Sequence, residues 1–78
     1  MEERRKINLN EVEKVKRFVN QMSTFESDVD IVSRRQIVDA KSIMGVFSFD
    51  LSELVEVQLI SDDEEEIRRF NEVIKEFM

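Results

Sequence analysis

The chain has 78 residues, enough for one small domain over residues 1–78. It contains no cysteine and no histidine, which excludes disulfides, thiolate and imidazole metal ligands, imidazole general bases and phosphohistidine chemistry. The net charge is −6, which disfavours nucleic acid as a partner. No apolar run approaches the roughly 20 residues of a membrane helix, so we expect a cytoplasmic protein that does not insert into membranes.

The first predicted elements are a strand over 6–9 and a helix over 10–23. Polar and apolar residues alternate along the strand, which predicts one buried face. Asn10 is a favourable N-cap residue, and Glu13 three positions later completes a capping-box pattern. The apolar residues that follow have helical spacing: Val12, Val15, Phe18, Val19 and Met22.

Two further strands are predicted over 28–31 and 36–40, with a hairpin tip at Arg34 and Arg35. Alternation directs four residues inward: Val29, Ile31, Val38 and Ala40. The tip has no Asn-Gly or Asp-Gly pair to supply positive φ. Either the loop is longer than two residues or an arginine carries strain.

A short helix is predicted over 42–49, with Ser42 as its N-cap. This segment contains Gly45, the only glycine of the chain. It also has more apolar residues than one buried stripe needs: Ile43, Met44, Val46, Phe47 and Phe49. The surplus predicts a helix with one packed side and one exposed apolar side.

The last strand is predicted over 55–60, followed by a helix that Ser61 or Asp62 caps. Acidic residues at 63–66 fill the first turn, where they favour the helix dipole. They could instead form a cation site, but the segment has no turn glycine and no alternating ligand loop, so we favour the capping role. The buried stripe of this helix is Ile67, Phe70, Val73, Ile74 and Phe77.

The predicted order is β-α-β-β-α-β-α, in an α+β fold with three helices on one face of a four-stranded antiparallel sheet. A ferredoxin-like split β-α-β arrangement shares most of this order and is the architectural alternative.

The run Lys41-Ser42-Ile43-Met44-Gly45-Val46 resembles the regulatory-serine segment of HPr, the phosphocarrier of the bacterial sugar phosphotransferase system. The spacing of elements over 25–59 fits that family, and the rest of the chain fits in pattern. The resemblance implies the HPr-like open-faced β-sandwich.

The family's phosphorylated histidine lies in the loop between the first strand and the first helix. Counting back from that helix places Glu11 at the histidine position, and the arginine and proline that follow the histidine in the family are also absent here. A carboxylate would form an acyl phosphate, which is a different and more labile carrier. The resemblance therefore does not extend to histidine phosphocarrier activity.

Ser42 matches the serine that HPr kinase/phosphorylase phosphorylates in Gram-positive relatives, where the phosphoprotein binds a catabolite-control repressor. A phosphate there would meet helix N–H groups, and Lys41 would add a cation. The alternative is that Ser42 is only an N-cap, contributing about 1 kcal/mol.

In the family, the apolar residues that match Ile43, Met44, Phe47 and Phe49 dock partner proteins, which here would be the kinase, other phosphotransferase components or a catabolite-control regulator. The alternative is that they only bury the helix. We expect Val46 and part of Ile43 in the core, with Met44 and Phe47 at least partly exposed. With so few chemically active side chains we expect no enzyme, no cofactor and no metal.

Overall fold

The computed structural model describes residues 2–34 and 36–78. Its elements are β1 (Glu2–Ile7), α1 (Val12–Met22), β2 (Asp28–Val32), β3 (Ile37–Asp39), α2 (Ile43–Phe47), β4 (Val55–Ile60) and α3 (Glu64–Ile74), followed by a 3-10 turn at Lys75–Phe77. The predicted α+β order is therefore confirmed.

The four strands form one antiparallel sheet in the order β1-β4-β2-β3. β4 is central, so its two edges pair with β1 and β2, while β3 forms the far edge. A ferredoxin-like sheet would instead have β1 and β3 at its centre. The open-faced arrangement is thus confirmed over the alternative.

Alternation decides which face of the sheet the helices cover. Val29 and Ile31 of β2 and Val57 and Leu59 of β4 are at most 1% exposed, as predicted. Because neighbouring residues of a strand point to opposite faces, the residues between them lie on the uncovered face. The helices therefore bury one face and leave the other open.

Phenylalanine rings join the helices above the sheet. Phe18 of α1 meets Phe77 edge-to-face at 5.3 Å between ring centroids, and Phe25 meets Phe70 at 6.0 Å. Such pairs add about 0.5–1.5 kcal/mol to the burial of the rings. In the predicted stripe of the last helix, Phe70, Ile74 and Phe77 are buried, and Ile67 and Val73 pack against the core.

The predicted start of α1 is wrong. The helix begins at Val12, its N-cap is Glu11, and no side chain makes a cap hydrogen bond there. Asn10 lies one residue before the N-cap, where its N–H donates to Asn8 Oδ1 at 3.1 Å, while the Asn8 N–H donates to the Phe77 carbonyl at 2.8 Å. This link to the C-terminal turn fixes the loop, and Val12 remains 57% exposed.

The first strand begins four residues earlier than predicted and ends at Ile7, and Leu9 is buried from the following loop. Its charged residues pair in register with β4 from Glu2 opposite Ile60 to Ile7 opposite Val55. Charged side chains suit an edge strand because they discourage further strand addition, but they hide the alternation on which the prediction depended.

Asp63 caps α3, in place of the predicted Ser61 or Asp62. Its carboxylate accepts from the N–H groups of Glu65 at 2.9 Å and Glu66 at 3.4 Å. Ser61 instead accepts from the Asp63 N–H at 3.0 Å. The acidic run thus serves mainly as a cap and first turn, as favoured above.

The β2–β3 connection is longer than a two-residue turn. β2 ends at Val32 and β3 begins at Ile37, and the Ser33 N–H donates to the Gln36 carbonyl at 3.0 Å. No described residue has positive φ. Strain at the predicted tip residue Arg35 lies outside the described residues.

Three aspartates lie together on the open face of β2 and β3. Asp30 is directly opposite Asp39, and Asp28 is two residues away on the same face. Partial burial raises the pKa of the Asp30 carboxyl above its ordinary value, and the charges of Asp39 and Asp28 raise it further. Ionised Asp30 therefore opposes folding.

We predict that Asp30→Asn increases the free energy of unfolding at pH 7 by about 0.2–1 kcal/mol, the range for a like-charged cross-strand pair. Because the pKa of Asp30 is raised in the folded parent, protonation of Asp30 stabilises the fold. This stabilisation is complete below the unfolded-state pKa and is lost as pH rises through the folded-state pKa. The gain should therefore vanish near pH 3 in urea titrations. A variant that is less stable than the parent at pH 7 would contradict this account.

Candidate functional site

The site is the N-terminal end of α2, where β3 turns into the helix. The Ser42 backbone is extended at φ −102°, and its Oγ accepts from the Gly45 N–H at 3.2 Å. The Ser42 N–H donates to the Asp39 carbonyl at 3.1 Å. The predicted N-cap is confirmed, and the hydroxyl is exposed.

Gly45 permits this close approach. A Cβ at position 45 would lie 3.3 Å from Ser42 Oγ and 3.5 Å from Val38 Cβ. The glycine is needed for space rather than for φ, since its φ is not positive. Because residue 45 has no side chain, the Ser42 hydroxyl can lie over the first turn of α2 and accept from the Gly45 N–H.

Lys41, which the resemblance placed beside a Ser42 phosphate, is already engaged. Its Nζ donates to the Phe25 carbonyl at 2.7 Å, and its side chain is half-buried. Arg69 also contacts Phe25: its guanidinium lies 4.1 Å from the Phe25 ring centroid. Lys41 must share or leave the Phe25 carbonyl to contact a phosphate.

The outer side of α2 is apolar and exposed. Met44 is 79% exposed, Phe47 41% and Ile43 38%, whereas Val46 is fully buried. This split confirms the exposure predicted for these residues, because a helix of five residues cannot direct all of them inward. We call Ile43, Met44 and Phe47 the α2 patch.

Phe49 does not belong to the α2 patch, contrary to the prediction. It is only 9% exposed and forms part of the core. α2 ends at Phe47, and the N–H groups of Ser48 and Phe49 donate to the carbonyls of Gly45 and Val46. This turn directs the Phe49 ring away from the helical face and into the core.

Ser48 closes the other end of α2, a role that the sequence did not reveal. Its hydroxyl donates to the Gly45 carbonyl at 2.5 Å and accepts from Gln36 Nε2 at 3.2 Å. The second contact joins α2 to the β2–β3 loop. A serine in the last turn of a predicted helix was the only available signal.

Glu11, which the resemblance placed at the family's histidine position, is the N-cap residue of α1 and is exposed. α1 packs against α2, but no described hydrogen bond or ion pair involves the Glu11 side chain. Within residues 2–34 and 36–78, no group of three acidic residues could hold a metal ion. No helix in those ranges is long and apolar enough to cross a bilayer.

Comparison with known proteins agrees with this architecture. HPr-C-His from Thermoanaerobacter tengcongensis is 27% identical, with a TM-score of 0.73 over 96% of this chain and 91% of that one. HPr from Bacillus anthracis is 21% identical, with a TM-score of 0.73 over 100% and 96%, a likeness of fold alone. No curated protein matches the sequence significantly.

A further similar structure is Crh, the catabolite repression containing protein of Bacillus subtilis. It is 29% identical, with a TM-score of 0.62 over 95% of this chain and 87% of that one, and it is described as a dimer with a swapped domain. Residues 12–77 match the family described as the PTS HPr component phosphorylation site. Since that match covers most of the sequence and agrees with the fold, the chain belongs to the HPr family of the phosphotransferase system.

Proposed function

We propose that this HPr-family protein is a cytoplasmic regulatory or adaptor protein that does not carry phosphate on histidine, and that Ser42 is its phospho-acceptor. The observation that carries the proposal is the exposed Ser42 hydroxyl at the start of α2, directly beside the exposed α2 patch. A modification at Ser42 would change the charge at the edge of an apolar docking surface.

The proposed function does not include histidine phosphocarrier activity, because the chain has no histidine. Glu11 could take its place only through an acyl phosphate. Its exposed carboxylate has no described basic partner to neutralise a transferred phosphate. Charge-assisted hydrogen bonds are the usual means of holding a phosphate.

Phosphorylation of Ser42 is compatible with the local geometry. The hydroxyl points to solvent while it accepts from the Gly45 N–H. A phosphate would add about −1.5 to −2 charges and three acceptor oxygens at this point. The first-turn N–H groups of α2 favour negative charge by about 0.3–1 kcal/mol, so the modification would not disrupt the fold.

The partners proposed for the α2 patch are HPr kinase/phosphorylase, other phosphotransferase components and a catabolite-control regulator. The similarity to Crh, described as a catabolite repression protein, supports the last of these. Met44 suits such a surface because its flexible, polarisable side chain adapts to different partners. Phe47 beside it supplies an aromatic anchor.

A second candidate is an interaction module that docks through the α2 patch while Ser42 acts only as the helix cap. The 3.2 Å hydrogen bond from Gly45 to Ser42 favours it, since that bond already gives the serine a structural role. The two candidates differ in whether Ser42 changes partner binding.

We predict that HPr kinase/phosphorylase with ATP adds one phosphate to the purified protein, seen as a single shift in intact mass. Ser42→Ala should abolish the shift. Ser48→Ala, at the other end of the same helix, is the matched control and should retain it. If the parent protein gains no phosphate while a genuine HPr does under the same conditions, Ser42 is only a helix cap.

We also predict that Met44→Glu weakens binding to the same kinase at least tenfold in a calorimetric titration, since it places a charge within the apolar docking surface. Leu54→Glu is the matched control, because Leu54 is 63% exposed but lies beyond the end of α2. Equal effects of the two variants would contradict docking through the α2 patch.

Repeating that titration with the catabolite-control regulator separates the two candidates. Binding that requires phosphorylated Ser42 supports the regulatory protein. Binding that is lost in Met44→Glu but is the same for parent and Ser42→Ala supports the interaction module.

A further inference from the structure

The open face of the sheet, opposite all three helices, has no described function. Cross-strand register and alternation identify its residues. In strand order they are Glu2, Arg4 and Lys6 of β1, Glu56, Gln58 and Ile60 of β4, Asp28, Asp30 and Val32 of β2, and Ile37 and Asp39 of β3.

Charge is segregated across this open face. On the β1 edge the two cations Arg4 and Lys6 outnumber Glu2, whereas β2 and β3 have only acidic charges, those of Asp28, Asp30 and Asp39. No described residue forms an ion pair with any of these three aspartates. On the basic side, Arg4 makes a 3.9 Å contact with Glu56 among the residues whose side chains are described.

The aspartates therefore repel one another without compensation. Asp30 is opposite Asp39, and its pKa is raised by burial and by the two neighbouring carboxylates. Cations over β2 and β3 would remove this repulsion. The chain has such cations on the same face at the opposite edge, and no ion pair joins them to the aspartates within the described residues.

Apolar side chains complete the surface. Ile37 of β3 is 66% exposed and Ile60 of β4 is 42% exposed. Val32 lies beside Ile37 on the same face and is half-buried. An open face that combines exposed apolar residues with opposite charges has the composition of a docking surface rather than of a purely solvated one.

We propose that the open face is a self-complementary docking surface for a second copy of this chain. A two-fold axis parallel to the strands and midway between the two sheets places β1 of each copy over β3 of the other. The register puts Arg4, Asp30 and Asp39 at one level of the sheet, so Arg4 of each copy then lies over Asp39 of the other, with Asp30 on the next strand, and both charge contacts form together. A two-fold axis perpendicular to the strands would instead place β1 over β1, and like charges would meet.

A second copy fits better than an unrelated basic protein because this one face contains both halves of the charge pattern. The association is weak. Four strands about 4.8 Å apart and about 20 Å long give roughly 300–400 Å² per copy, about half of what a stable complex buries. We expect a dissociation constant of about 0.1–1 mM. The contact goes beyond the proposed function and leaves α2 on the outer side of each copy.

Charge reversal in matched pairs tests the proposal. One variant combines Arg4→Glu with Lys6→Glu, and the other combines Asp30→Lys with Asp39→Lys. The second variant also removes the hydrogen bond that the Asp39 carboxylate accepts from the Lys41 N–H at 2.8 Å before α2, so Asp30→Asn with Asp39→Asn, which should weaken dimerisation, replaces it if it misfolds. By sedimentation equilibrium, each variant alone should be monomeric at concentrations where the parent dimerises. An equimolar mixture should regain dimers, because both contacts again pair opposite charges.

The control pair has the same changes in net charge on the helices. It consists of Lys16→Glu with Lys75→Glu and of Glu13→Lys with Glu72→Lys, at exposed residues that pair within α1 and around the end of α3. Each control variant alone should dimerise like the parent. Circular dichroism of every variant identifies any that fails to fold, and Arg4→Gln with Lys6→Gln then replaces a misfolded first variant and should weaken dimerisation at least threefold.

Amide spectra of the parent at 0.05–2 mM, about the range of the expected dissociation constant, locate the contact independently. Shifts with concentration should map to the open face, around Val32, Ile37 and Ile60, and not to α2. A parent that stays monomeric at the highest concentration overturns the proposal. So does a dimer whose shifts map to the α2 patch, or a strand-swapped dimer that persists in both charge-reversed variants alone.

Discussion

The pairing of β4 with both β1 and β2 is the interaction on which the rest of the fold depends. The two outer partners run in the same direction and are separate in the sheet, so they are held together only through β4. On the side of this central strand that the helices cover, three side chains are buried: Val55, Val57 and Leu59. α1 crosses the covered face of β4 and connects β1 to β2. After α3, Phe77 packs against Phe18, and the Phe77 carbonyl accepts from the Asn8 N–H.

The exposed face of α2 results from the way this short helix is attached to the rest of the fold. A helix of five residues is too short to be stable alone, so it needs caps and an anchor. Ser42 caps one end, Ser48 closes the other, and Val46 anchors the middle in the core. Because Val46 already faces the core, Met44 and Phe47 point to the other side of this short helix. They remain exposed there and form the α2 patch.

The sequence predicted most elements because their apolar periods were clear. β4 was predicted with its observed bounds, and the apolar spacing of the last helix matched its buried side. The caps were less predictable because tertiary contacts decide among adjacent polar residues. In the loop before α1, the Asn8 N–H donates to the Phe77 carbonyl, and the N-cap position falls at Glu11 rather than at Asn10.

Long-range roles were also hidden in the sequence. Glu66 belongs to an acidic run that reads as helix capping, yet its Oε1 accepts from the N–H groups of Glu26 at 3.1 Å and Ser27 at 2.9 Å. Phe49 continued the helical spacing of α2 but entered the core after the helix ended. At the site itself, Ser42 was predictable from local capping rules, whereas the bond from Lys41 to the Phe25 carbonyl required the fold.

The proposed function requires that this chain keeps the HPr scaffold and the α2 site without the carrier chemistry. Incubation with phosphoenolpyruvate and enzyme I, followed by intact mass measurement under neutral conditions, tests this most directly, with a genuine HPr in parallel as the positive control. The account predicts that HPr gains one phosphate and this chain gains none. A phosphate on this chain that is released by hydroxylamine, as an acyl phosphate would be, and that is absent in Glu11→Gln would contradict the claim and make Glu11 a carrier.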